Sequence, residues 1–258
     1  MTNSTSIIDK NSKIAENVKI GPFCFIGPNV TLEKNVELVS NVHIDGYTTI
    51  GEGTKIFPFA CIGTDPQDLK FDGEKSTIKI GKNNKIREYV TIHPGTKGGG
   101  SKTIIGNNCL FMIASHIAHD CIIGNEVIIA NNVPLGGHVI VEDGVVIGGN
   151  SAVQQFTRIG RSAMIGGMTG VLKDVIPYGL STGNRNVLNG LNLIGLRRKN
   201  YDNKKIISLN EAYKKIFNNN KINSNLSEIR TKYKDNELVI EILDFIERDK
   251  KRPICTPE

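Results

Sequence analysis

Tryptophan is absent from this 258-residue chain and aromatic residues make up only 6% of it. Large ring packing is thereby excluded, and aliphatic side chains must fill the core. None of the five cysteines forms a C-x-x-C pair. Cys24, Cys61, Cys109 and Cys121 instead fall where a repeat wants a small apolar residue, which reads as buried thiols in a reducing compartment, without disulfide or metal roles. No run approaches the roughly 18 apolar residues of a membrane-spanning helix, and the N-terminal MTNSTSIIDKNSK lacks an apolar signal segment. The expectation is a cytoplasmic chain with no membrane span.

What is present is a metronome of six. Aliphatic or aromatic residues recur as Ile8, Ile14, Ile20, Ile26, Leu32, Leu38, Ile44, Ile50, Ile56 and Ile62, then Ile80, Ile86 and Ile92. The series resumes at Ile105 and Phe111 and runs in steps of six to Val171. A small or β-branched residue such as Val18, Cys24 or Val30 sits two positions before most of them. Neither a helical period of 3.6 nor a strand period of 2 explains a hexad. Three hexads close one triangular coil of a parallel β-helix, so the repeats make roughly eight coils, about 40 Å long at a spacing of about 4.8 Å.

Two segments break the rhythm, near 64–79 and 93–104, and would project as loops from a rigid scaffold. The second contains Gly98-Gly99-Gly100, which feeds another hexad and not a helix, so it reads as a flexible loop and not a phosphate cradle. The prism is assigned to 1–178 and a helical domain to 179–258. Apolar stripes at Val187–Leu196, Ile206–Phe217, Leu226–Tyr233 and Leu238–Ile246 are read as its helices, with turns at Asn218-Asn219-Asn220 and 223–225. Residues 1–178 carry 16 basic and 16 acidic side chains, whereas 179–258 carry 16 and 10. The whole excess of +6 lies in the tail. It would suit an acidic or phosphorylated partner, or be a solvated surface only.

Three of the five histidines lie in two adjacent coils. With an 18-residue coil, His119 falls beneath Gly137 and Gly137 beneath Gln155, while Asp120 falls beneath His138. A neutral imidazole oriented by a carboxylate can accept a proton near neutrality, and an exposed glycine N–H can steady an oxyanion. These are the parts acyl transfer requires when the acceptor hydroxyl is activated directly. The competing structural role is capping of coil corners, which is the reading for His43 and His93. Stacked imidazoles could also hold zinc, as in carbonic anhydrase-like hexapeptide proteins. A non-catalytic hexapeptide scaffold is the remaining class.

Several segments together resemble one family: Ile20-Gly21-Pro22-Phe23-Cys24, Gln67-Asp68-Leu69-Lys70, Arg87 to His93, His116-Ile117-Ala118-His119-Asp120-Cys121, and Asn192 to Arg198. They are similar to the acyl-carrier-protein-dependent UDP-N-acetylglucosamine O-acyltransferases of lipid A biosynthesis, over essentially the whole chain. The resemblance implies a mainly β fold, a left-handed parallel β-helix followed by a small α-helical C-terminal domain. It also implies a homotrimer with active sites between subunits, acting in the cytoplasm on a UDP-sugar and acyl carrier protein, with no nucleic acid. His119 would be the general base, Asp120 its support and Gly137 the oxyanion donor. Asp68 and Lys70 would hold substrate, His116, His138 and Gln155 would line the sugar and pyrophosphate region, and Asn192 and Arg198 would bind the nucleotide. Gly167 would floor the acyl groove and imply a chain of about C14. No metal and no cofactor is expected beyond the phosphopantetheine of the donor carrier protein.

Three residues depart from the family pattern. Gln154 replaces a familiar histidine, Ile194 a common glutamate and Lys199 a common arginine. They bear on the acceptor, since some relatives acylate a 3-amino analogue of UDP-N-acetylglucosamine and form an amide.

Overall fold

The computed structural model describes residues 4–219, 221–249 and 252–258. Its architecture is a left-handed parallel β-helix followed by a small helical domain. Almost every strand of the prism is two residues long, and the strands stack into three parallel faces. The first face carries Ile26, Ile44, Ile62, Ile92, Ile117, Leu135, Val153 and Val171, the second Leu32 through Ile159, and the third Ile20 through Ile165. From Ile20 onward these hexad residues are no more than 4% exposed, whereas Ile8 and Ile14 at the open end are only partly covered. Each coil thus buries its aliphatic ladder against the next, and the core is a column shared by neighbours.

Register shows where the loops enter. Phe25 pairs with His43, 18 positions on. Cys61 pairs with Thr91, 30 on, and Thr91 with His116, 25 on. From there the step returns to 18, as His116 pairs with Pro134. The two projecting loops are therefore insertions into successive coils, both leaving the corner between the first and second faces.

Corners require left-handed backbone. Asn17, Asn35, Asn83 and Asn108 supply it at one edge with φ between 56° and 60°. Asparagine tolerates that region better than most side chains. At the corner between the first and second faces the residues are Asp120, His138 and Phe156, with φ of 59°, 60° and 66°. Phe23, Phe59 and Tyr89 hold the same conformation at the corner between the third and first faces, so it belongs to the coil and does not by itself mark the site.

The segment expected to open the helical domain differs. Gly179–Thr182 and Val187–Leu191 form an antiparallel hairpin that extends the third face. Gly183 and Gly190, at φ 103° and 111°, hold conformations that no helix accepts. The Val187–Leu191 stripe is thus a strand that covers the last sheet edge. Helices follow at α1 (Leu193–Arg198), α2 (Asn203–Ile216), α3 (Leu226–Lys232) and α4 (Glu237–Arg248). Of the expected asparagine turn at 218–220, Asn220 lies outside the described residues.

Arg158 locks α4 to the prism. It is buried, donates to Asp174 at 2.7 Å and to the Phe245 and Asp249 carbonyls at 3.2 and 3.0 Å, and lies over the Phe245 ring. Tyr178 and Arg161 both bond Glu241 of the same helix. The chain end then returns to the prism, with Cys255 N–H on the Asp174 carbonyl at 2.7 Å.

Candidate active site

The corner between the first and second faces concentrates the chemistry. The strand His116–Ile117 ends one face and Ile122–Ile123 begins the next. His119 and Asp120 occupy the bend between them, and Asp120 N–H donates to Thr103 Oγ1 at 3.0 Å. His119 Nδ1 lies 2.9 Å from Asp120 Oδ2, and the carboxylate is fully covered while the imidazole is 13% exposed. A carboxylate at Nδ1 favours the tautomer protonated there and leaves Nε2 as the acceptor. Nε2 has no hydrogen bond from a described residue.

Gly137 lies directly against that ring. A Cβ built on Gly137 would sit 2.5 Å from His119 Cε1 and 2.6 Å from Nε2. The Gly137 N–H donates to no described residue, whereas its carbonyl accepts from Phe156 N at 3.0 Å. Base, orienting carboxylate and a free N–H therefore share one corner.

Three other histidines, His93, His116 and His138, surround the base and resist protonation. His138 meets the His119 ring edge-on at 5.1 Å and stacks on Phe156 at 4.4 Å. Burial lowers its pKa; the Asp120 and Asp68 charges oppose the shift and His119 adds to it. His116 Nδ1 is 2.7 Å from Thr91 Oγ1, and burial and then His119 depress its pKa too. His93 is buried against His116, with its Nδ1 unpartnered, and burial pulls it from 6.5 down to about 4. The unfolded chain binds a proton below pH 6.5 that the folded His93 refuses until about pH 4. Stability is therefore expected to fall as the pH drops through that window. Chemical denaturation at pH 7 and pH 5 should show a smaller acid loss in His93→Gln than in the parent; equal losses would contradict it.

Two grooves flank the corner. One, of about 440 Å³, is lined by Gln67, His116, His119, Gly137, Gln154 and Gln155. The other, of about 790 Å³, lies over the second face and is lined by Asp68, Lys70, Thr96, Asp120, His138 and Phe156 among others. Asn192 and Arg198 are not part of either. They line a third cavity, of about 540 Å³, with Gly144, Met164 and Ile194. Asn192 also caps α1, accepting from Gly195 N at 3.0 Å and donating to the Ser162 carbonyl at 3.1 Å. Gly167 is exposed at the corner between the third and first faces, where an added Cβ would meet the Gly149 carbonyl at 3.3 Å. One chain does not bring these three residues to His119.

The triple-glycine loop is a correction: it is seated, not free. Lys97–Gly99 forms one 3₁₀ turn. Cβ atoms on Gly95 and Gly99 would lie 2.6 and 2.0 Å from the Asp120 carboxyl group. Thr96 donates to that carboxylate, and Lys97 N donates to Glu74 Oε1 of the first loop at 2.8 Å. Sequence spacing hid Thr96, because the 25-residue step in its coil removes it from 18-residue arithmetic. Arg252 was missed too; it donates to Gln154 Oε1 at 3.1 Å and to the Gln155 carbonyl at 2.8 Å. Of the departures, Ile194 is exposed and Lys199 lies 3.7 Å from Glu126. Burial pushes the Cys109 thiol up to about 11 and Cys121 to about 12, so both stay protonated near neutrality, whereas Cys61, expected buried, is only half-buried.

Comparison with known proteins adds relatives to this geometry. A family model described as UDP N-acetylglucosamine O-acyltransferase, domain 2, matches residues 174–255. A bacterial transferase hexapeptide model matches 11–46 and 102–137. The chain is 53% identical to an acyl-[acyl-carrier-protein]–UDP-N-acetylglucosamine O-acyltransferase of Rickettsia canadensis, over 83% of this chain and 81% of that protein. It is 47% identical to the Rhizobium etli protein of that name, over 83% and 79%. A solved UDP-N-acetylglucosamine O-acyltransferase from Moraxella catarrhalis superposes with a TM-score of 0.94 at 39% identity, covering 98% of both chains.

Proposed function

Because the chain belongs to the UDP-N-acetylglucosamine O-acyltransferase family, we propose that it moves a 3-hydroxyacyl chain from acyl carrier protein to the 3-hydroxyl of UDP-N-acetylglucosamine, the first step of lipid A biosynthesis. The observation that carries this is the His119 ring, held by Asp120 and laid against Gly137. Nε2 takes the proton from the sugar hydroxyl as its oxygen attacks the thioester carbonyl. The tetrahedral oxyanion is met by the Gly137 N–H. Its collapse breaks the carbon–sulfur bond, and the departing thiolate takes the proton back from the imidazolium. No acyl-enzyme forms, and no metal or cofactor enters.

Asp68 and Lys70 hold the acyl donor or sugar from the groove they share with His138, while His116 and Gln155 line the sugar side. Asn192 and Arg198 serve the nucleotide from a neighbouring copy of the chain. Their separate cavity favours a homotrimer whose sites are shared. His119, Asp120 and His138 also bring ligand atoms within 4.8 Å of one another. Asp120 is already spent on Thr96 and His119, so a metal would have to break those bonds. Paired assays with UDP-N-acetylglucosamine and its 3-amino analogue test the acceptor: turnover of the hydroxyl substrate supports the ester, and turnover of the amine alone replaces it with an amide.

Gly167 sets the chain length near C14, since a side chain there projects into space that methylenes would fill. Each displaced methylene forfeits about 0.8 kcal/mol, roughly fourfold. Gly167→Leu is expected to move the optimum to shorter donors in a carrier-protein chain-length series. An unchanged optimum would remove Gly167 from the groove.

A further inference from the structure

Asp120 cannot orient His119 unless something fixes Asp120, and the structure places one residue at that task. Thr96 is 4% exposed. Its N–H lies 3.0 Å from both carboxylate oxygens, and its Oγ1 donates to Oδ2 at 2.7 Å. Oδ2 is the same oxygen that receives His119 Nδ1 at 2.9 Å. We propose that Thr96 is a positioning residue for the catalytic base: its hydroxyl fixes the rotation of the Asp120 carboxylate, and through it the imidazole.

The hydroxyl is not needed to hold the loop. The Thr96 carbonyl accepts from Gly99 N and Ser101 N, each at 2.9 Å. Lys97 N is tied to Glu74, and Gly95 and Gly99 already lie against the Asp120 carboxyl group. Backbone bonds seat the loop, which leaves the side-chain oxygen free to serve Asp120. Without it, Oδ2 keeps the shared Thr96 N–H and the imidazole as its partners, and the carboxylate loses its shortest restraint against rotation. This inference rests on His119 acting as the base.

Three variants separate hydroxyl from packing. Thr96→Val keeps the volume and loses the donor, Thr96→Ser keeps the donor and loses a methyl, and Thr96→Ala cannot clash if valine packs badly. Expected is a fall of about tenfold in kcat for valine and alanine, with KM for both substrates within about twofold, on the scale of one charge-assisted hydrogen bond. Serine should restore turnover. The acid limb of the kcat/KM–pH profile should also move to higher pH in Thr96→Val, because Oδ2 no longer shares its charge with a hydroxyl. The charged and titratable groups around His119 and Asp120 (Asp68, His93, His116 and His138) are unchanged in each variant. Turnover by Thr96→Val equal to the parent, or serine as impaired as valine together with a lowered melting temperature, would overturn the proposal. His119→Ala in the same series keeps the two ideas apart: an active His119→Ala enzyme removes the base, whereas an inactive one beside a fully active Thr96→Val removes only Thr96.

Discussion

His119→Ala is expected to lower kcat for acyl transfer by about a thousandfold or more while the protein stays folded. A positioned general base contributes roughly 10²–10⁴ in rate, and among the described residues no other group is placed to substitute. His138 stacks on Phe156, and His116 is engaged by Thr91. Burial lowers the proton affinity of both, so each is a weaker acceptor than an ordinary imidazole. Folding should survive because the imidazole belongs to a surface corner and not to the aliphatic column. Asp120 would lose one hydrogen bond and keep those from Thr96. Steady-state kinetics beside a melting curve separates the outcomes: loss of kcat with an unchanged melting temperature is expected, and retained turnover would dismiss His119 as base.

The smallest change with a large effect is Gly137→Ala. The added methyl would stand 2.5 Å from the His119 ring, well inside any real contact. The backbone cannot yield cheaply, since His138 N is bound to the His119 carbonyl and Phe156 N to the Gly137 carbonyl, both at 3.0 Å. The imidazole must move instead, and moving breaks its bond to Asp120. A displacement of about 1 Å costs on the order of a hundredfold in rate. Expected is that loss in kcat with circular dichroism unchanged. Near-parental turnover would mean the catalytic geometry is looser than it stands here.

How much of this was legible follows from what sequence spacing can encode. A hexad repeat fixes which residues turn inward, and Ile20 through Val171 do so. An 18-residue coil fixes which corners stack, and the His138 N–H on the His119 carbonyl is that stacking at 3.0 Å. Position in a projecting loop is not periodic, so Thr96 and Glu74 could not be placed, and three glycines read as slack when two of the loop's glycines, Gly95 and Gly99, are a close fit to Asp120. The Val187–Leu191 stripe was ambiguous because five apolar-rich residues suit a strand as well as a helical turn. Its partner, Gly179–Thr182, settles the matter by pairing across the hairpin. Asn192 and Arg198 lie in another cavity of the same chain, and spacing along one chain carries no information about a neighbouring copy.

Direct base catalysis, with no acyl group ever resident on the protein, is the central claim. Wild-type chain should be mixed with 3-hydroxytetradecanoyl carrier protein, with and without UDP-N-acetylglucosamine, and both product and intact protein followed by mass spectrometry over a single turnover. The account predicts a 3-O-acylated sugar nucleotide and an unmodified chain at every time point. An acyl adduct on the chain that forms with donor alone and is discharged by the sugar would contradict it.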